Sequence, residues 1–303
     1  MNPASLTVKA RFLHGLRGGR SGFTPDAPSV VARAFTLIEL LVVVCVLALF
    51  AATLAPTLAG SRIGSQTLRC LNNNRQLCSA WRMYADDNND RIVFAADDGT
   101  PAGTSNAWTV SHMDFNPNNV GNWDTNYDIV KGPLWRYTSK DASIYRCPSD
   151  HSYVVTPAGV AKPRVRSFSV NLYAGGFAGW SGNLFSTNVY RLFLKTTDFI
   201  APGPAKTFLF IDMRPEAINW GNFFTDMTGY PNNPPVYRFG DWPGVFHNLG
   251  ASVSFADGRA EIHCWADPRT APSVSEMGVT IGFYPSPGNP DIAWLQAHAT
   301  SLK

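Results

Sequence analysis

From Phe35 to Gly60 the chain is an almost unbroken apolar run whose only ionisable groups are Glu39 and the thiol of Cys45. At ~1.5 Å per residue it makes a helix of roughly 39 Å, longer than the ~30 Å hydrocarbon core of a bilayer, and so predicts a membrane span over 35–60. After Gly60 the pattern changes. Ile63, Thr67, Cys70, Leu71, Leu77, Cys78, Trp81, Tyr84 and Ala85 recur at three- and four-residue steps, which is one face of a helix. Arg62, Arg69 and Arg82 fall on another side with Arg75 nearby, so 61–90 reads as an amphipathic continuation. The run Asp86-Asp87-Asn88-Asn89-Asp90 is poor in helix propensity and rich in turn formers, and ends it. From Arg91 to Lys303 the chain is rich in Gly, Pro, Asn and aromatics. Short runs at Arg166–Tyr173, Thr207–Ile211 and Ala251–Ala256 read as strands, with Arg259–Trp265 as a return strand after an Asp257-Gly258 type I′ turn. Helix first and sheet afterwards predicts an α+β fold, a long N-terminal helix packed on an antiparallel β-sheet head over 91–303.

Charge sharpens this division. The net charge is +3, but Lys9, Arg11, Arg17, Arg20 and Arg33 stand against one acid, Asp26, within 1–34; without that segment the balance is −1. No general electrostatic case for nucleic-acid binding remains. Residues 1–34 read as a basic leader, not a domain. Basic residues before a span stay in the cytoplasm, which places the head outside the inner membrane. A conventional signal, cut at an Ala-x-Ala-like site around Ala48–Ala59, would instead release a soluble protein.

The order Ala34-Phe35-Thr36-Leu37-Ile38-Glu39, followed by aliphatic residues, resembles the prepilin processing site of type IV pilins and type II secretion pseudopilins. The resemblance implies a cut by a prepilin peptidase between Ala34 and Phe35, methylation of the new Phe35 amine, and an assembly role for Glu39. Most members carry glycine where this chain has Ala34. Pro56 falls where many carry a helix-bending proline. Three further stretches resemble a large bacterial group of pseudopilin-like proteins. They are Cys70–Cys78 with Tyr84–Asp90, then Tyr145–Asp150, then His247 followed after nine residues by Asp257-Gly258.

His247, Asp257 and His263, with Asp212 and Asp241 as companions, invite a metal or hydrolytic reading. Yet there is no His-Glu-x-x-His helix or Cys-x-x-Cys pair, and a turn already explains Asp257-Gly258. His247, Asp257 and Gly258 are therefore expected to be structural, fixing the hairpin, with no catalytic residue and no metal. Some pseudopilins hold calcium. Asp86–Asp90 offers alternating oxygens but lacks the glycine and bidentate glutamate of a calcium loop, so no cofactor is expected and calcium stays a lesser alternative. Five cysteines occur, and export permits disulfides. Because both lie in the family-like motifs, Cys70 and Cys147 are the favoured pair. Cys78 and Cys264 either pair or stay buried thiols, and Cys45 packs in the bilayer. Cys70 and Cys78, about 12 Å apart along a helix, cannot bridge each other. Trp108, Trp123, Trp135, Trp180, Trp220 and Trp242 lie in Gly/Asn-rich loops, where core packing competes with a glycan- or protein-binding surface.

These readings point to a non-enzymatic structural subunit, a minor pilin or pseudopilin of a type II secretion or type IV pilus-like assembly. It would be single-pass in a bacterial inner membrane, with a periplasmic or extracytoplasmic head. Its expected partners are the prepilin peptidase, other subunits through the N-terminal helix, and the membrane. The rivals are a membrane-anchored glycan- or protein-binding module and, further off, a metal-dependent hydrolase.

Overall fold

The computed structural model describes residues 36–97, 106–178, 188–273 and 283–303, with the side chains of 51–63 outside that description. Two compact units divide the chain, 1–54 and 55–303. Helix α1 spans Leu37–Asp87. In the first unit every described side chain from Thr36 to Phe50 is exposed, including Leu37, Leu41, Leu47 and Phe50. Among the described residues no helix is long and apolar enough to cross a membrane. The expected span also needs 51–60, whose side chains lie outside that set.

In the second unit α1 buries one stripe, Cys70, Asn74, Leu77, Cys78, Trp81, Tyr84 and Ala85, while Arg69, Arg75 and Arg82 are exposed. The spacing is that of an amphipathic helix. Its polar member, Asn74, was not visible in the apolar periodicity. The helix stops at Asp87, and Asn89 (φ 55°) and Asp90 (φ 68°) take the left-handed conformation that short polar residues tolerate. Asp90 is tied down by Thr196 and by the Thr197 hydroxyl at 2.7 Å, and Asp87 accepts from the Tyr137 hydroxyl at 2.8 Å. Two acids of the calcium-like run are thus engaged in closing the helix end onto the head.

Among the described residues nine strands follow: β1 Tyr153–Val155, β2 Ala161–Pro163, β3 Phe168–Asn171, β4 Phe208–Asp212, β5 Asn222–Phe223, β6 Arg238–Phe239, β7 Gly250–Phe255, β8 Ala260–Cys264 and β9 Tyr284–Pro285. The main sheet has the order β5-β3-β4-β7-β8, and β1-β2 and β6-β9 form two small ribbons. β3, β4 and β7 are buried along their whole length. This is an α+β fold, but the sheet is mixed and not purely antiparallel, because β5 pairs parallel to β3. The cause is the route of the chain. β4 ends beside the start of β3, with Phe168 opposite Asp212, so a chain that crosses there re-enters along β3 in the same direction.

The β7-β8 hairpin forms as expected, with Val253 opposite Glu261, but its turn differs. Gly258 N–H donates to Phe255 O at 2.9 Å and Phe255 N–H to Arg259 O at 2.8 Å, and only Gly258 (φ 95°) is left-handed. Asp257 therefore occupies an ordinary turn position before a glycine bulge, a three-residue loop in place of the two-residue I′ turn. Near the C-terminal end of the described residues a shorter helix, α2 (Pro290–Ala299), buries Ile292 and Leu295; Asn289 caps it, accepting from the N–H groups of Asp291 and Ile292, and Pro290 starts it.

Candidate functional site

Four segments distant in sequence meet at one buried point. Cys70 comes from α1, Cys147 from just beyond the 3₁₀ turn Ala142–Tyr145, Asp212 from the end of β4, and His247 from the turn entering β7. One donor atom of each lies within 4.8 Å of all the others, and all four residues are buried.

Each side chain is positioned by its own local structure. The periodic stripe of α1 turns Cys70 inward, one helical step beyond Thr67. β4 delivers Asp212, and the backbone of Gly244 closes over it, with Gly244 N–H donating to Asp212 O at 2.7 Å. A Cβ at Gly244 would collide with Asp212 Oδ1, so only glycine permits this approach. His247 sits in a turn closed by its own N–H on Gly250 O at 3.2 Å, with Asn248 (φ 54°) and Leu249 (φ 61°) both left-handed. A leucine in that region is strained, on the order of 1 kcal/mol, a cost found most often at functional or clamped positions. Cys147 is fixed by its own loop. Cys147 N–H donates to Ser167 Oγ at 3.1 Å, the Ser167 hydroxyl donates to Asp150 Oδ2 at 2.6 Å, and Asp150 N–H returns to Cys147 O at 3.0 Å.

At the centre, Cys147 Sγ is 3.3 Å from His247 Nε2, His247 Nε2 is 3.5 Å from Asp212 Oδ2, and the Cys70 thiol points at the same Oδ2 at 3.8 Å. Thr67 Oγ1 lies 3.3 Å from the other ring nitrogen, Nδ1. Burial pushes the Cys70 thiol well up, whereas the Cys147 thiol is held down by its hydrogen bond with Cys70, against burial and with help from His247. Burial also raises Asp212, opposed by its bond to His247. Burial works against a charge on His247, but its bonds to Asp212 and Cys147 outweigh that and raise it to about 10. Among the described residues Asp212 Oδ1 has no hydrogen bond of ordinary geometry; the Ser252 backbone amide acts on the carboxylate only as a lesser influence.

Chemically this is a convergent cluster, not a relay. In a nucleophile–histidine–acid triad the acid holds the ring nitrogen opposite the nucleophile. Here Cys147 and Asp212 share Nε2 while Thr67 occupies Nδ1, which is not the arrangement of such a triad.

Of the residues singled out in the sequence, the structure brings together Cys70, Cys147, His247 and Asp212. The expected Cys70–Cys147 disulfide is not formed; the two are adjacent free thiols. Cys78 is also free and donates to Phe255 O at 3.3 Å, and Cys264 is exposed and free, so the alternative of a buried thiol there is corrected. Cys264 ends the edge strand β8, whose burial falls from Ala260 to this exposed position. Asp257 stays in the hairpin loop, accepting from Arg259 N–H at 3.0 Å, and Gly258 supplies the left-handed turn. Both of these lie in the hairpin loop, whereas the His247 side chain points into the cluster. His263 stacks on Trp294 at 3.8 Å, and Asp241 is buried with Oδ2 accepting from Phe224 N–H at 2.6 Å.

Ala34 and Phe35 lie outside the described residues, and Pro56 lies within α1 with its side chain outside them. Glu39 caps its own helix. Its Oε2 accepts from Thr36 N–H at 2.9 Å and from the Thr36 hydroxyl at 2.8 Å, while Glu39 N–H donates to Thr36 Oγ1 at 3.2 Å. The aromatic loops are mostly packed. Trp108 and Trp242 are buried, Trp135 tilts against Tyr145, Trp220 stacks on His112 at 4.0 Å, and Trp123 lies under the Lys162 ammonium; Trp180 is outside the described residues. No protein family matches the chain, and neither the curated proteins nor the solved structures contain a significant match to it.

Proposed function

We propose that the chain is a structural subunit of pilin or pseudopilin type, processed between Ala34 and Phe35 and held in a bacterial inner membrane by its N-terminal helix. The observation that carries this reading is the contrast along α1. Leu37–Phe50 presents aliphatic side chains to solvent on every side, while Cys70–Ala85 is inserted against the sheet. An all-round apolar stretch needs lipid or other helices around it. In a filament the same stretch would pack against equivalent helices, and the Phe35 amine of one subunit would neutralise Glu39 of its neighbour in low dielectric.

The capping geometry gives the test its resolution. Glutamine serves a capping box as well as glutamate does, so Glu39→Gln keeps the Thr36 bonds and removes only the charge. Glu39→Gln is expected to insert in membranes normally and to lose most crosslinking to neighbouring subunits. Mass spectrometry of the mature chain should find N-methylated Phe35 at its N-terminus. A mature chain starting elsewhere, or undiminished crosslinking of Glu39→Gln, refutes the reading.

A further inference from the structure

We propose that Cys70, Cys147, Asp212 and His247 form a closed, four-ligand site for a divalent ion of the zinc class, which clamps α1 to the sheet. Tetrahedral zinc with Zn–S of about 2.3 Å and Zn–N or Zn–O of about 2.0–2.2 Å separates its ligand atoms by roughly 3.3–3.8 Å. The spacings of 3.3, 3.5 and 3.8 Å between Sγ, Nε2 and Oδ2 fall in that range, and no donor atom lies beyond 4.8 Å from another. Drawing the remaining pairs together requires shifts of about 1 Å, within reach of χ rotations. The donors also point to the metal. Two sulfurs and an imidazole suit zinc and exclude magnesium or calcium, which take oxygen.

The surroundings match a metal site in three further respects. The second ring nitrogen of His247 is held by Thr67 Oγ1, the outer contact that fixes a ligating imidazole. The Ser252 hydroxyl lies within hydrogen-bond reach of Cys70, a second outer contact to a ligand atom. The Gly244 backbone, placed where a side chain would strike Asp212, leaves the carboxylate free to turn inward. Binding replaces both S–H protons, and any proton on Nε2, by metal bonds and releases them to solvent; no electrons move. Two thiolates, one carboxylate and a neutral imidazole around a 2+ ion leave a net charge of −1, as in Cys₃His zinc sites. With four protein ligands, all buried, there is no open position for substrate, so the ion is structural.

The full-length chain, purified in detergent, reduced and stripped with chelator, is titrated with Co²⁺ and then Zn²⁺. The expected result is one ion per chain, with the d–d bands of tetrahedral cobalt and a thiolate charge-transfer band, both abolished by zinc. Cys147→Ser should remove one thiolate's share of that band, and Thr67→Val should keep the spectrum while weakening affinity by about 10–100-fold. Cys45→Ser with Cys264→Ser should leave uptake unchanged. Alkylation of the wild-type chain, at a denaturant concentration that exposes the two buried thiols of the metal-free chain, needs no variant: Zn²⁺ should protect Cys70 and Cys147 but not Cys264. Absence of uptake by the reduced chain, cobalt spectra lacking thiolate absorption, or equal alkylation with and without Zn²⁺ overturns the proposal. So does isolation of a Cys70–Cys147 disulfide together with failure to bind after reduction.

Discussion

The two ends of α1 differ in what they bury. Between Leu37 and Phe50 the helix is apolar on every side and exposed throughout. Between Cys70 and Ala85 it is apolar on one side only, and that side contains polar atoms: Cys70 faces Asp212, Asn74 faces Ser252, and the Cys78 thiol donates to Phe255 O. A helix stabilised by its own domain can bury polar atoms because the domain supplies specific partners for most of them. A helix meant for lipid or for copies of itself cannot rely on such partners and carries few polar atoms. The contrast separates the part of the helix that packs in its own domain from the exposed part that the proposed assembly would use.

Trp81 should give the largest effect. It is fully buried, edge-on to Phe199 at 5.8 Å, and its indole N–H has no hydrogen-bond partner among the described residues. Trp81→Ala should cost about 3–5 kcal/mol in thermal or denaturant unfolding. Trp81→Phe should cost distinctly less, because it removes an unpartnered N–H along with some volume. If both variants melt like the wild type, the distal half of α1 is not part of the core.

Much of this was legible in the sequence, and what was missed has physical causes. The stripe from Cys70 to Ala85 and the hairpin around Gly258 are local patterns, readable from periodicity and one left-handed glycine. The turn type was not, since Asp-Gly suits both a I′ turn and a type I turn with a bulge. Three of the four cluster residues, Cys70, Cys147 and His247, stand in the quoted motifs, and Asp212 was seen at a strand end. Their meeting was not legible, because it depends on where β4 lies relative to α1, which no spacing encodes. Asn74 escaped because a polar residue on a buried face breaks the apolar count. α2 escaped although Asn289-Pro290 is a helix-start signal.

Asn74 offers an intermediate effect and a sharper comparison. Its Nδ2 donates to Ser252 Oγ at 3.1 Å within the core, while Oδ1 is buried without a hydrogen-bond partner among the described residues. Asn74→Ala should cost about 1–3 kcal/mol, because the Ser252 hydroxyl loses a bond it cannot replace with water. Asn74→Leu combined with Ser252→Ala should cost less than the sum of the single changes, since it removes both ends of the bond. Strict additivity in this double-mutant cycle would show that the pair does not couple helix to sheet.

The smallest expected effect on stability is at Leu47, and there the absence of an effect is what discriminates. Leu47 is 61% exposed although it lies in the most apolar part of the chain. Leu47→Ser should change the unfolding free energy of the detergent-solubilised chain by no more than about 0.5 kcal/mol, as for a surface position. The same substitution should weaken crosslinking to neighbouring subunits, because it puts a hydroxyl where the proposed assembly packs helix on helix. A loss of stability comparable to that of Trp81→Ala would mean that this stretch packs within its own chain, and the division of α1 into a folding half and an assembling half would fail. Unchanged stability with unchanged crosslinking would place Leu47 on a lipid-facing side, and moving the serine to Leu40, Leu41 and Val44 in turn would then locate the side that touches a neighbour.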